Sequence, residues 1–150
     1  MEKINFLVDS NYALDVDGRH IDLHNNFDFE SIEYSIRQNR LSITWAKVTG
    51  DWVQIDVPEY VKIEFDNVVF LKIQTDSYDK NDDKGTLSFI GYLHPEDVDL
   101  MDGCLDESEA NSNYHMIIAF EGGLAIKIFS EKAVCLLDQN GAMKKEVRQS

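Results

Sequence analysis

The sequence predicts a mainly β domain, an antiparallel meander that closes into a β-sandwich or a partly open barrel, with α+β as the alternative. Two observations predict this class. Apolar residues recur at every second position in several runs, which puts one face of each strand on a core and the other in water. Residues typical of tight turns separate these runs at short intervals. A length of 150 residues, 43% of them hydrophobic, fits one domain spanning 1–150.

Strict alternation marks the half-buried strands. Their inward-facing sets are Ile32, Tyr34 and Ile36; Leu41, Ile43 and Trp45; Val53, Ile55 and Val57; Val61, Ile63 and Phe65; and Leu124, Ile126 and Ile128. By the same alternation Lys127 faces solvent. Three runs are more continuously apolar and are expected to be covered on both faces, with a helix as one candidate cover: Val68–Ile73, Leu87–Leu93 and Met116–Phe120. Ser130–Leu137 fits either a strand or a helix.

Turn residues join these strands. Asp17-Gly18 and Gly122-Gly123 predict hairpins, because the tightest hairpin turns need residues that accept positive φ. Further turns are expected at Gln38–Arg40, Thr49–Asp51 and Asp66-Asn67. Strands that follow one another through such short connections form a meander.

Three segments depart from the strand pattern. Asp76–Gly85 is predicted to be a polar loop, and Gln139–Ser150 a frayed tail. Pro95–Asn113 is long for a hairpin connection, and long loops in compact domains are typically functional or disordered. Proline followed by acids suits a first helical turn, so one short helix is predicted near 95–110. This segment has no Lys or Arg but seven acids, namely Glu96, Asp97, Asp99, Asp102, Asp106, Glu107 and Glu109.

The charge restricts the partners of this chain. Its 14 Lys and Arg against 28 Asp and Glu leave a formal net charge of −14. Nucleic-acid backbones and anionic lipids require clustered cations, so neither nucleic acid nor membrane is expected as a partner. A basic protein would instead be attracted by the summed field. The alternative is that the acidity serves solubility alone.

No metal or cofactor site is predicted. Three registers fail the EF-hand pattern: those starting at Asp79 and Asp97 lack its glycine, and the one that contains Asp15, Asp17 and Gly18 has Ala13 and His24 at its ends. His20 and His24 have zinc-ligand spacing but no second pair. Cys104 and Cys135 form no disulfide framework, and the polar N-terminal stretch is unlike a signal peptide. A cytoplasmic protein with reduced thiols is therefore expected.

Catalytic residues are not predicted either. A reactive cysteine needs a positive neighbourhood, whereas Cys104 lies between Asp102 and Asp106. No nucleophile elbow, phosphate loop or dinucleotide-binding glycine pattern occurs. Because so many acids are present, paired carboxylates remain open as an alternative chemistry.

Two tryptophans have different expected roles. Trp45 continues the inward alternation of its strand and is predicted in the core. Trp52 is opposite in phase to Val53 and Val57, which predicts an outer face and a contact anchor, since Trp is enriched in binding hot spots. The alternative is that it covers a second sheet or a loop.

The rhythm of three segments resembles that of small acidic bacterial immunity proteins of polymorphic and contact-dependent toxin systems. These segments are Phe27–Tyr34, Leu41–Trp45 and Val61–Val68. The resemblance covers about half of the chain, contains no diagnostic motif and transfers no functional residue. It implies a toxin partner, often a basic nuclease, that is blocked by steric occlusion and charge complementarity.

Two hypotheses follow. The first is a non-enzymatic protein-binding module, an immunity protein or inhibitor of a basic partner, whose contact surface is the seven acids of the 95–113 segment with Trp52 as an apolar anchor. The second is a small-ligand-binding or hydrolytic β-domain with carboxylates in a barrel mouth. Strand-rich domains also allow a homodimer through an exposed edge strand.

Overall fold

The computed structural model describes residues 1–50, 52–53, 56–75 and 85–139. Within them the protein is mostly β-strand, as predicted. A seven-stranded, mostly antiparallel sheet has the order β5-β6-β7-β10-β9-β8, with β1 beside β10, and is curled into a half-barrel. A three-stranded sheet has the order β2-β3-β4. Almost all of the predicted frayed tail, and almost all of the polar 76–85 loop, lies outside the described residues.

The elements are short except along the main sheet. In chain order they are β1 (Glu2–Lys3), β2 (Phe6–Asp9), β3 (Ala13–Val16), β4 (Arg19–Asp22), α1 (Leu23–Asn26), β5 (Phe27–Ser35), β6 (Arg40–Lys47), β7 (Tyr60–Gln74), β8 (Leu87–Leu93), β9 (His115–Phe120) and β10 (Ala125–Asp138).

Two long strands carry the half-barrel. β7 has 15 residues and pairs antiparallel with β10 along its whole length. β6 pairs only with residues 60–66 of β7, and β9 pairs only with residues 125–128 of β10. The two halves of the sheet are therefore joined by the β7–β10 ribbon, with one half on each side of it.

Side chains fill the inside of the half-barrel. Trp45, Phe65 and Phe120 are fully buried there, and the hairpin β3–β4 adds Leu14 and Ile21 to the same cluster. The inward positions of β6 and of residues 61–65 of β7 are all buried, which confirms the alternation predicted for these runs. A second, smaller cluster lies on the opposite face of the sheet and contains Leu93, Leu100, Ile117, Ala119 and Ala125.

The hairpin turns follow the sequence. Asp17 and Gly18 join β3 to β4 with φ of 51° and 87°, the left-handed conformation that their residue types accept. Gly123 connects β9 to β10 with φ of 96°. The run 130–137, which fitted either element, is strand.

Other predictions are wrong. Asp66-Asn67 is not a turn, because β7 continues through it; Asn67 takes a φ of 56° within the strand, next to an irregularity in the β7–β10 register. The described residues of the predicted strand 53–57 form turns and bends, and Ile55 lies outside the described part. The one helix of the described residues is α1, whereas residues 95–110 contain turns and a single β-bridge.

Exposure also corrects the sequence analysis. Ile36 lies in the β5–β6 turn and is 86% exposed, although its alternation predicted the core. Residues 68–73 were expected to be covered on both faces, yet Val69 is 68% exposed and Ile73 48%. Lys127 was expected in solvent and is buried. No helix in the described ranges has the length and apolar character to cross a bilayer.

Candidate protein-binding surface

The 95–113 segment covers the outer face of the sheet. Leu100 is fully buried in the smaller cluster against Leu93 and Ile117, so the segment is packed onto β8 and β9 through an apolar side chain. A β-bridge between Leu105 and Tyr92 continues the attachment, with N···O distances of 2.8 and 3.0 Å. The continuously apolar β8 and β9 are thus covered on both faces as predicted, by this loop in place of a helix.

Lys127, on the outer face of β10, attaches the start of the segment to the sheet. Its Nζ donates hydrogen bonds to the backbone carbonyl oxygens of His94, Pro95 and Asp97 at 3.1, 3.0 and 2.7 Å. The side chain is 1% exposed, and burial lowers the pKa of this amine. Three acceptors use all three ammonium donors, which satisfies the buried charge.

Several of the acids shape the loop locally. Asp97 accepts from the backbone N–H of His94 at 3.1 Å, and Asp99 accepts from that of Met101 at 3.0 Å. Asp106 accepts from the hydroxyl and the backbone N–H of Ser108, and these bonds hold the pKa of its carboxyl below the ordinary value. Such short-range bonds to backbone N–H groups are typical of Asp in turns.

Glu107 is bonded to residues of three strands. Its Oε1 accepts from the Tyr92 hydroxyl at 2.7 Å and from the backbone N–H of Val8 at 2.8 Å, while Oε2 lies 3.1 Å from Lys3 Nζ. Burial, reinforced by the bond to Glu107, raises the pKa of Tyr92. Glu107 therefore joins β8, β2 and β1, and of the seven predicted contact acids it is the one that the structure occupies fully with its own neighbours.

The exposed part of the segment combines charge with apolar area. Val98 is 75% exposed and Met101 46%, although the buried Leu100 lies between them in the sequence. We call this the 96–102 surface, and its exposed members are Glu96, Asp97, Val98, Asp99, Met101 and Asp102. Among the described residues no ion pair joins its four carboxylates to a cation. Glu109 is also exposed, but its carboxylate accepts from the backbone N–H of Asp106.

Trp52 lies elsewhere. It is 66% exposed, as predicted, and its indole N–H donates to the carbonyl of Asn25 at 3.0 Å. Its ring covers Gly50 and borders a shallow groove with His24 and Lys47, and none of these contacts involves the 95–113 segment. The structure thus does not bring Trp52 together with the acids, and Val98 and Met101 are the apolar residues that accompany them.

No family model, curated protein or solved structure matches this chain. The role of the 96–102 surface is therefore argued from its own chemistry.

The described residues give no support to a hydrolytic site. Burial raises the pKa of the Cys104 thiol, and Asp106 and Glu109 raise it further, so the thiolate that a nucleophile needs is disfavoured. No group of three metal-ligating side chains occurs in the described ranges. The inside of the half-barrel is filled by the apolar core around Trp45 and Phe120.

His115 is a buried titratable group beneath the same loop. It is 8% exposed. Its ring contacts those of Phe70 and Phe129, with centroid distances of 4.7 and 5.2 Å. Its Nδ1 has no hydrogen-bond partner among the described residues. Burial, with repulsion from Lys127 and His94, lowers the pKa of His115 to about 4.

This histidine makes stability depend on pH. Because the pKa is about 4 in the folded state and 6.5 in the reference state, the unfolded chain binds a proton between these values that the folded chain does not. The free energy of unfolding should fall by about 2 kcal/mol from about pH 7 to about pH 5 through this group. His115→Phe should remove that share of the pH dependence, whereas the exposed His20→Gln should retain it. Urea unfolding at each pH measures the difference, and parallel curves for His115→Phe and the native chain would contradict it.

Proposed function

We propose that this chain is a non-enzymatic protein-binding module, an immunity protein or inhibitor that acts in the cytoplasm and neutralises a basic toxin by occlusion and charge complementarity. The observation that carries the proposal is the 96–102 surface, where two exposed apolar side chains stand among four carboxylates that form no ion pair with a described residue. A basic partner would be steered by the carboxylates and held by contacts with Val98 and Met101.

The anchoring of the surface supports this role. Lys127 and Leu100 attach the loop to the sheet, so a partner would bear less of the entropy cost of ordering it. Lys127 binds backbone oxygens and not the carboxylates of Glu96, Asp99 and Asp102, whose charges can therefore face a partner. Glu107 is excluded from the contact set because its carboxylate already has three partners inside the protein.

Neutralising the surface should slow association. The variant E96Q/D97N/D99N/D102N removes four charges and retains oxygen acceptors for the local bonds of Asp97 and Asp99. We expect the association rate constant for the basic partner to fall at least about tenfold at low salt, with a flatter dependence on ionic strength, because the steering field is removed. Stopped-flow or surface-binding kinetics across a salt series measure both.

A matched control separates local from total charge. D28N/E30Q/E33Q/E121Q removes the same charge at exposed positions outside the 95–113 segment. It should change the association rate constant much less. The partner is obtained by capture from the native cell on the immobilised full chain, and a protein encoded beside this gene is the first one to test. Equal effects of the two quadruple variants, or rates that do not depend on salt, would remove the 96–102 surface from the account.

A further inference from the structure

Within the described ranges, part of one edge of the main sheet has no partner strand. β6 pairs with residues 60–66 of β7, and beyond that point β7 has β10 on one side only. Asn39 covers Val68. Its backbone oxygen accepts from the N–H of Val68 at 3.2 Å, and its side-chain amide donates to the carbonyl of Val68 at 3.0 Å. No strand among the described residues pairs with residues 69–74 from that side. We call these residues the β7 edge.

Three other edges of the main sheet, those of β8, β10 and β5, are either covered or charged. On β8 the amide of Asn11 donates to the carbonyl of Ile90, while the backbone of Asn11 accepts from the N–H of Ile90. On the far half of β10, the side-chain amide of Asn5 pairs with both the N–H and the carbonyl of Cys135 at 2.8 Å, as a neighbouring strand would. The outer edge of β5 carries Glu30 and Glu33, which are exposed charges of the kind that discourages strand pairing.

The β7 edge has the opposite character. It contains no acid and a single cation, Lys72, in a chain of net charge −14. Its exposed side chains are apolar, with Val69 68%, Phe70 36% and Ile73 48% exposed. An edge that is largely apolar and carries a single charged side chain is a template for another strand.

We propose that the β7 edge pairs antiparallel with the same edge of a second copy of this chain. With Leu71 on the two-fold axis, Val69 lies opposite Ile73 of the partner copy and Phe70 lies opposite its Lys72. Val69 and Ile73 then each meet an apolar side chain, and each Lys72 ammonium meets the ring of Phe70, as Lys127 already meets Phe70 at 5.5 Å. No like charges face each other directly. The contact is isologous and closes after two copies.

The charge favours a second copy over the basic protein of the proposed function. A basic partner is steered to carboxylates, and the β7 edge offers it only an ammonium. Two copies of this acidic chain repel one another over most of their surfaces, and this edge is a place where their backbones can approach without facing acids. Salt screens that repulsion, so dimerisation should strengthen as salt rises, whereas binding of a basic partner weakens.

Sedimentation velocity of the full chain over a concentration and salt series tests the dimer. We expect a monomer–dimer equilibrium that shifts toward dimer with added salt. Val69→Lys should raise the dimer dissociation constant at least about tenfold, since it places a cation opposite an apolar residue. Leu7→Lys makes the same charge change at a 52% exposed position on β2, in the three-stranded sheet, and should leave the constant unchanged.

Cysteine cross-linking tests the register. In V69C/I73C the two substituted positions of one chain are four residues apart on an extended strand, which is too far for a disulfide within the chain. Across the proposed two-fold they face each other, so mild oxidation should give covalent dimers. V69C and I73C alone should not.

Two outcomes would overturn the proposal. One is a chain that remains monomeric at high protein concentration and high salt. The other is a dimer that Val69→Lys and Leu7→Lys weaken equally, which would place the contact elsewhere. Neither outcome bears on the 96–102 surface, because the salt dependences of the two contacts have opposite signs.

Discussion

Gly91→Ala is expected to lower the free energy of unfolding by about 3 kcal/mol, a cost at the upper end of what overpacking a core produces. A methyl group on Gly91 would lie 2.5 Å from Cys104 Sγ, 2.5 Å from the carbonyl oxygen of Leu105 and 2.6 Å from the amide nitrogen of Asn11. The Leu105 oxygen is backbone in the bridge to β8, and the Asn11 amide is held by bonds to Ile90 and Leu105. Neither can move without breaking hydrogen bonds.

Urea denaturation measures the change in the free energy of unfolding. Thermal denaturation should show a fall in Tm of roughly 10 °C for a chain of this size. Gly85→Ala is the control, because a methyl group there would meet its nearest atom, the backbone nitrogen of Phe29, at an ordinary 3.4 Å. It should change the free energy of unfolding by less than about 1 kcal/mol. Equal behaviour of the two variants would show that the 95–113 segment is not packed on β8 as described.

Lys127→Met should have the second largest effect, about 3 kcal/mol of lost stability. Methionine fills a similar volume but leaves the carbonyls of His94, Pro95 and Asp97 without their charged donor. The loss should be concentrated in the loop. The amides of residues 96–102 should therefore exchange hydrogen faster than in the native chain, while exchange in the core strands changes little.

Lys72→Met is the matched control for this prediction. Lys72 lies opposite Lys127 in the β7–β10 register but makes only one longer bond to the loop, 3.4 Å to the carbonyl of Val98. Its replacement should cost less than about 0.5 kcal/mol and leave exchange in the loop nearly unchanged. If Lys127→Met were as stable as Lys72→Met, the ammonium group would not be what holds the segment.

Lys127 also shows where sequence reasoning stops. Period-two alternation correctly opposes it to the inward face of Ile126 and Ile128, which are in the main core. Alternation cannot reveal that a segment some thirty residues earlier in the chain folds over that outer face. The strands of the inner core could therefore be predicted, while the second layer could not, because it depends on a long-range contact with no local periodicity.

The candidate surface was predicted in part for a similar reason. Composition alone identifies the acids of the 95–113 segment, but it treats Glu107 and Asp102 as equivalent. Only the fold separates the first, which bonds to Tyr92 and Val8, from the second, which is exposed. Val98 and Met101 received no weight in the sequence analysis, and the spacing of apolar residues within this acidic stretch was the signal available for them.

Asp66-Asn67 illustrates a local ambiguity. Asn accepts a left-handed backbone conformation both in a hairpin turn and in an irregular position of a continuous strand. The structure uses it in the second way, with a φ of 56° at Asn67. Apolar residues on both sides of the pair are compatible with either outcome, so the length of β7 could not be deduced from the chain.

The β7–β10 ribbon has a consequence for how the molecule is made. Its two strands come from distant parts of the chain, and the residue that anchors the acidic loop sits on the later one. The loop is synthesised before its anchor, so it takes its final shape only once β10 has paired beside β9 and brought Lys127 to it. That hairpin is local, whereas β7 and β10 must find each other across a long stretch of chain, so the anchored loop can form before the ribbon closes.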